Sequence, residues 1–163
     1  MHAPRRASVY SAPREAQRRR VRSPAARLEN RVARIAHTVL DSAEHYVCQI
    51  RSGTHVVTAD EPVALGGTDA GPSPYQLLLS GLAACTSITL RMYADRKSWK
   101  LGTIHVDVEL HKESQEDTGK IKRVISFSES LGDEQRAKLL EISEKTPVTR
   151  TIKAGAPITT ELG

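Results

Sequence analysis

The stretch from Pro72 to about Ala94 constrains this chain most. Pro72-Ser73-Pro74 opens a helix, with Ser73 as N-cap and Pro74 at the first helical position. The helix is then apolar on nearly every side: Leu77, Leu78, Leu79, Leu82, Ala83, Ala84, Ile88, Leu90 and Met92. A helix apolar all round is buried in protein or in a membrane. Ser80, Thr86, Ser87, Thr89 and Arg91 argue for protein. A single domain of this size rarely wraps a helix on every side. The simplest solution is a homodimer in which two such helices bury each other, with Gly81, Ala84 and Cys85 small enough to allow close approach.

The rest of the chain alternates. Tyr46, Cys48 and Ile50 read as one face of a strand, Ser52-Gly53 as a turn, and His55 to Ala59 as the return strand. Ile104, Val106, Val108 and Leu110 alternate with His105, Asp107, Glu109 and His111. After a turn at Glu116–Gly119, Ile121, Val124, Ile125 and Phe127 form the return strand. Leu131-Gly132-Asp133-Glu134 leads into a second helix, with Ala137, Leu139, Leu140 and Ile142 on its inner side. Thr146-Pro147 starts a short third helix that stops near Gly155, and Pro157–Thr160 reads as a last short strand. The fold class expected is α+β: strands, long helix, strands, helices, strand.

Charge is unevenly placed. Residues 1–34 hold ten Arg against Glu15 and Glu29, a local +8, while the rest of the 163 residues sum to −3. The division expected is an Arg-rich disordered extension over 1–31 and a folded domain over 32–163. A competing pattern places a short helix there, with Leu28, Val32 and Ile35 on one face. The extension offers electrostatic contact with nucleic acid, but the fold carries no basic patch, and one Trp, one Phe and four Tyr leave few stacking platforms. Nucleic acid is therefore not expected as a partner. No secretory h-region and no charge-free apolar run of spanning length is read, so a cytoplasmic protein without membrane attachment is expected.

Two cysteines, Cys48 and Cys85, suit a reducing compartment. Cys85 lies about eleven residues into the long helix, ~16 Å from its start, beyond the reach of the helix dipole. To react it needs a nearby cation; without one it is a small core residue. Cys48 reads as a core residue of its strand. His105 and His111 share a strand face with Asp107 and Glu109, which reads as a solvated face. No metal-ligand spacing, Gly-rich phosphate loop or hydrolase triad is found, and no cofactor is expected.

The residues Asp60-Glu61-Pro62, Gly66 to Leu78, Ala83-Ala84-Cys85-Thr86 and Arg91-Met92-Tyr93-Ala94 together resemble the OsmC family of osmotically inducible and organic-hydroperoxide-resistance proteins. Thr146-Pro147-Val148 through Ile158-Thr159-Thr160 resembles its C-terminal part. The resemblance implies an intertwined homodimer with active sites at the subunit interface. It implies that Cys85 is the peroxidatic cysteine, that a hairpin Arg lowers its pKa, and that a Glu holds that Arg. Arg51 and Glu61 are the residues of this chain proposed for those roles. The family's second, resolving cysteine would fall on Thr146, and the clamp Glu of the hydroperoxide-resistance branch on Tyr75. The resemblance leaves two functions open. One is a one-Cys thiol peroxidase acting on small organic hydroperoxides, with an external thiol reductant or Cys48 resolving. The other is a dimeric scaffold without turnover that binds a small molecule.

Overall fold

The computed structural model describes Arg34 and residues 36–163. The extension over 1–31 and the helix on Leu28, Val32 and Ile35 lie outside the described residues.

Three antiparallel strands come first: β1 (Thr38–Glu44), β2 (Val47–Ser52) and β3 (His55–Ala59), in the order β1-β2-β3. Ser52 pairs with His55, so the β2–β3 connection is the two residues Gly53-Thr54. Gly53 takes φ +62°, a conformation a side chain at that position would resist. A 3₁₀ turn (Val63–Leu65) and a loop then lead to α1 (Pro74–Arg96), β4 (Ile104–His111), β5 (Lys120–Phe127), α2 (Asp133–Ser143) and α3 (Pro147–Ala154). β4 and β5 form a second, two-stranded antiparallel sheet.

The loop before α1 is tied down by one carboxylate. Asp60 is 2% exposed, and its two oxygens accept from Glu61 N, Thr68 N, Thr68 Oγ1 and Ala70 N at 2.6–3.2 Å. Gly67 and Gly71 complete the arrangement: a Cβ at Gly67 would stand 1.8 Å from Glu61 O, and one at Gly71 2.3 Å from Thr58 O. The hydroxyl of Thr68, foremost among these donors, lowers the Asp60 pKa from 3.8 to about 2. Because the folded value lies below the unfolded one, this stabilisation is complete above about pH 4 and fades as pH falls toward 2. Asp60→Asn replaces one acceptor oxygen by a donor facing donors. It should lower the thermal midpoint at neutral pH, and the difference from wild type should shrink on acidification toward pH 2; an unchanged midpoint at pH 7 would refute the anchor.

Ser73 caps α1 as its sequence indicates. Its hydroxyl accepts from Gln76 N at 3.4 Å, and the Gln76 side chain accepts from Ser73 N at 2.8 Å, a reciprocal capping box. α1 packs across β4 and against α2 and α3. Its buried residues are Leu82, Thr86, Leu90 and Ala94, four apart along one stripe. Leu90 and Ala94 join Leu101, Leu131 and Leu139 in the core, with Tyr93, Trp99, Ile104, Ile125, Phe127 and Ile142 around them. Tyr93 and Trp99 meet edge to face at 5.7 Å.

Three sequence expectations are corrected. Pro157–Thr160 forms no strand; Ile158 is exposed, since within one chain no free strand edge pairs with it. The return strand β5 holds Ile121, Val124, Ile125 and Phe127 as expected; within it Val124 points outward, and Arg123 takes the inward phase with the other three. On α2, Leu139 and Ile142 face inward, but Ala137 and Leu140 are exposed, because α2 buries only one narrow side. Finally, α1 is long and apolar enough to cross a membrane by length and composition, although the sequence reading expects no such run. In this fold one of its sides is core and the other is uncovered: Leu78, Ile88 and Met92 are exposed, the last two by 58% and 57%.

Candidate active site

Cys85 sits mid-way along α1, half-buried and unpaired with any other sulfur, as is Cys48. It stands on the uncovered side. Leu78, Gly81, Cys85, Ile88 and Met92 are spaced alternately three and four apart, so they share one stripe of the helix. Gly81 has open space above it, with nothing within 4 Å of an added Cβ. The thiol therefore lies in an exposed apolar row of the chain.

The residue after it faces the other way. Thr86 is fully buried; its hydroxyl donates to Leu82 O at 2.7 Å and accepts from Arg123 Nη1 at 2.9 Å. Arg123, opposite Val108 in the β4–β5 ladder, has a side chain only 9% exposed. Nη1 also donates to Thr149 Oγ1 at 2.9 Å. Nη2 donates to Ser143 O at 3.0 Å, Ser143 Oγ at 3.4 Å and Glu144 Oε1 at 3.1 Å. Thr146 is fully buried, and its hydroxyl lies 2.7 Å from that of Thr149. One guanidinium thus joins β5 to α1, the end of α2 and the start of α3. Glu144 is shared between Arg123 and Lys153. The hydrogen bond from Lys153 is foremost in holding its carboxyl below the ordinary range, and the charges of Lys153 and Arg123 add to this against desolvation.

The other residues singled out from the sequence lie elsewhere in the chain. Arg51, on β2, is 54% exposed and forms an ion pair with Asp41 of β1. Glu61 belongs to the loop after β3. Its backbone is held by Asp60 and Asp69, and it lines a cavity of about 380 Å³ with Tyr46, Cys48, Ile50 and Leu77. Among the described residues, no hydrogen bond or ion pair joins Cys85, Arg51 and Glu61 within one chain. Tyr75, at the position of the family's clamp Glu, is instead capped by Lys112, whose Nζ lies 3.3 Å from its hydroxyl and 5.4 Å from its ring centre. Thr146 does begin α3, but its hydroxyl goes to Thr149 and makes no cap bond to the backbone. His105, Asp107, Glu109 and His111 form an exposed face. Among the described residues, no group of three His, Cys, Asp or Glu side chains could hold a metal ion.

Arg123 is the residue that sequence reading passed over. The signal was present: strict alternation along Ile121, Arg123, Ile125 and Phe127 places a cation in the inward phase of an apolar strand.

The match to a protein-family model decides the family: residues 67–161 match the OsmC-like protein model. The chain belongs to the OsmC-like family. Solved structures share the fold. A Psychrobacter arcticus protein named for osmotic stress induction and detoxification response is 16% identical. It covers 76% of this chain and 91% of its own, with a TM-score of 0.65. An OsmC-like protein of Mycoplasma pneumoniae is 20% identical, covering 75% and 89%, at 0.61. The organic hydroperoxide resistance protein OhrB of Bacillus subtilis is 23% identical, covering 74% and 91%, at 0.53. No curated protein matches the chain in sequence. In this OsmC-like chain, the mixed strand-and-helix order agrees with the relatives.

Proposed function

We propose that this OsmC-like protein reduces small organic hydroperoxides through Cys85, as a homodimer, with an external thiol as reductant. The observation that carries the reading is Cys85 in the uncovered apolar row of α1. A half-buried thiol with apolar neighbours suits an apolar peroxide, and a second α1 laid on the same row would close water out of the site. The names of related structures, among them organic hydroperoxide resistance proteins, support the substrate class.

The chemistry balances in three steps. The Cys85 thiolate attacks the terminal oxygen of the hydroperoxide, the O–O bond breaks, and the alkoxide leaves and takes a proton to become the alcohol. Cys85 is left as a sulfenic acid. An external thiol condenses with it, releasing water and forming a mixed disulfide. A second thiol reduces that disulfide and returns Cys85. Thr146, a buried hydroxyl where the family's resolving cysteine would fall, cannot perform the second step. Arg51, held by Asp41, is the hairpin cation proposed to approach Cys85 from the partner protomer.

The dimer is tested first. At low micromolar concentration, light scattering should report twice the chain mass. Ile88→Glu, which puts a charge into the middle of the α1 row, should shift it toward the monomer by about tenfold or more in dissociation constant. A wild-type monomer would remove the interface site. A scaffold reading, in which the dimer binds a small molecule without turnover, has one observation in its favour: Thr146 is hydrogen-bonded inside the fold and offers no sulfur.

A further inference from the structure

Arg123 stands in the inward row of β5 with Ile121, Ile125 and Phe127. Desolvating a guanidinium costs several kcal/mol, and replacing a buried charge together with its polar partners by well-packed apolar residues commonly gives equal or greater stability. Fold stability is thus a weak reason for an arginine at this place. What Arg123 does that an apolar residue could not is direct. Apolar packing along Leu82, Leu90 and Ala94 is non-directional and leaves α1 free to turn slightly about its axis. Hydrogen bonds fix that rotation.

The bonds fall on one turn of α1. Arg123 Nη1 donates to Thr86 Oγ1, and Thr86 Oγ1 donates to Leu82 O. Cys85 lies within that turn, adjoining Thr86 and about 100° around the helix from it. Turning the helix to relax the Thr86 contact would swing Cys85 in the same sense. The same Nη1 holds Thr149, and Thr149 holds Thr146. The peroxidatic position and the position where the family's second cysteine falls are therefore tied to one guanidinium. The C-terminal end of α2 is fixed by Nη2, so the anchor cannot slide.

We propose that Arg123 is a positioning residue for Cys85. Through the hydroxyl of Thr86 it sets the rotation of α1, and with it the direction from which an electrophile reaches the thiol. The inference rests on Cys85 being the reacting thiol. Arg123 acts through Thr86 and not on a reactant, its donors being taken up by Thr86, Thr149, Ser143 and Glu144.

The experiment uses the full chain, reduced, with two electrophiles: tert-butyl hydroperoxide, read by dimedone trapping at Cys85, and iodoacetamide, read by mass. Thr86→Val keeps the shape of the side chain and removes the oxygen. Both rate constants should fall about tenfold, the scale expected when a reacting group is misdirected by a fraction of an ångström. Thr86→Ser, which restores the hydroxyl, should recover them. Leu139→Ala loosens the core and leaves the tie intact. It should lower the melting temperature yet keep both rate constants within about twofold, because general destabilisation is not misdirection. Arg123→Lys keeps the charge and loses the fork, so it should behave as Thr86→Val does.

Wild-type rates in folded Thr86→Val or in Arg123→Lys would overturn the proposal, as would failure of Thr86→Ser to recover. A wild-type protein inert to the hydroperoxide but alkylated at Cys85 would sink the peroxidase reading alone. The alkylation rates of the variants would then still decide whether Arg123 positions the thiol.

Discussion

Cys85→Ser should bring hydroperoxide consumption to the uncatalysed background, a loss of several orders of magnitude, because serine at neutral pH supplies no comparable nucleophile for the O–O bond. Cys48→Ser should retain turnover, since Cys48 is on β2 with its Sγ donating to Tyr46 O at 3.4 Å. Consumption by the wild type should depend on added thiol. In its absence the sulfenic acid has no sulfur at position 146 to condense with and should pass on to the sulfinic acid. Thr146→Cys adds that sulfur at a buried site, and should reduce over-oxidation if the α3 start faces Cys85 in the dimer. Intact-mass spectrometry after peroxide treatment reads all of these states. A Cys85→Ser protein that consumes peroxide as fast as wild type would refute the mechanism.

Arg123→Met should cost about 1–3 kcal/mol of stability, the scale of leaving buried neutral polar groups without their donor. The methionine fills much of the volume but leaves the Thr86 and Thr149 hydroxyls and Ser143 O without their donor, and Glu144 with Lys153 alone. Chemical denaturation should show the loss as a lower midpoint with the slope unchanged. Glu144→Gln should cost far less, because Glu144 is 47% exposed and a surface ion pair contributes little. Equal effects of the two substitutions would show that the network is not what holds Arg123.

The residues of α1 announced both halves of its behaviour. The Ser73-Pro74 start, the capping Gln76 and the apolar run fix a long helix by local rules, and the structure has it from Pro74 to Arg96. The same run, apolar on all sides, says that one chain cannot cover it, and Leu78, Ile88 and Met92 are indeed left in the open. The hairpins were legible for the same reason: period-two alternation and a glycine turn are written within a few residues of each other. The 157–160 segment was not. A strand exists only when an edge is available to pair with it, and no local pattern states whether another part of the chain provides one.

The site divides along the same line. That Cys85 is the thiol to test was carried by the family resemblance of its motif, and the same resemblance implied that a second sulfur would fall on Thr146. Which cation lies near which group was decided by tertiary structure. Arg51 pairs with Asp41 because β1 and β2 lie side by side, 10 residues apart in sequence but adjacent in the sheet. Arg123 gathers Thr86, Ser143, Glu144 and Thr149 from 20 to 37 residues away. Alternation alone could place its side chain inward, but only packing α1, α2 and α3 over one face of β5 brings the acceptors that let a guanidinium stay there.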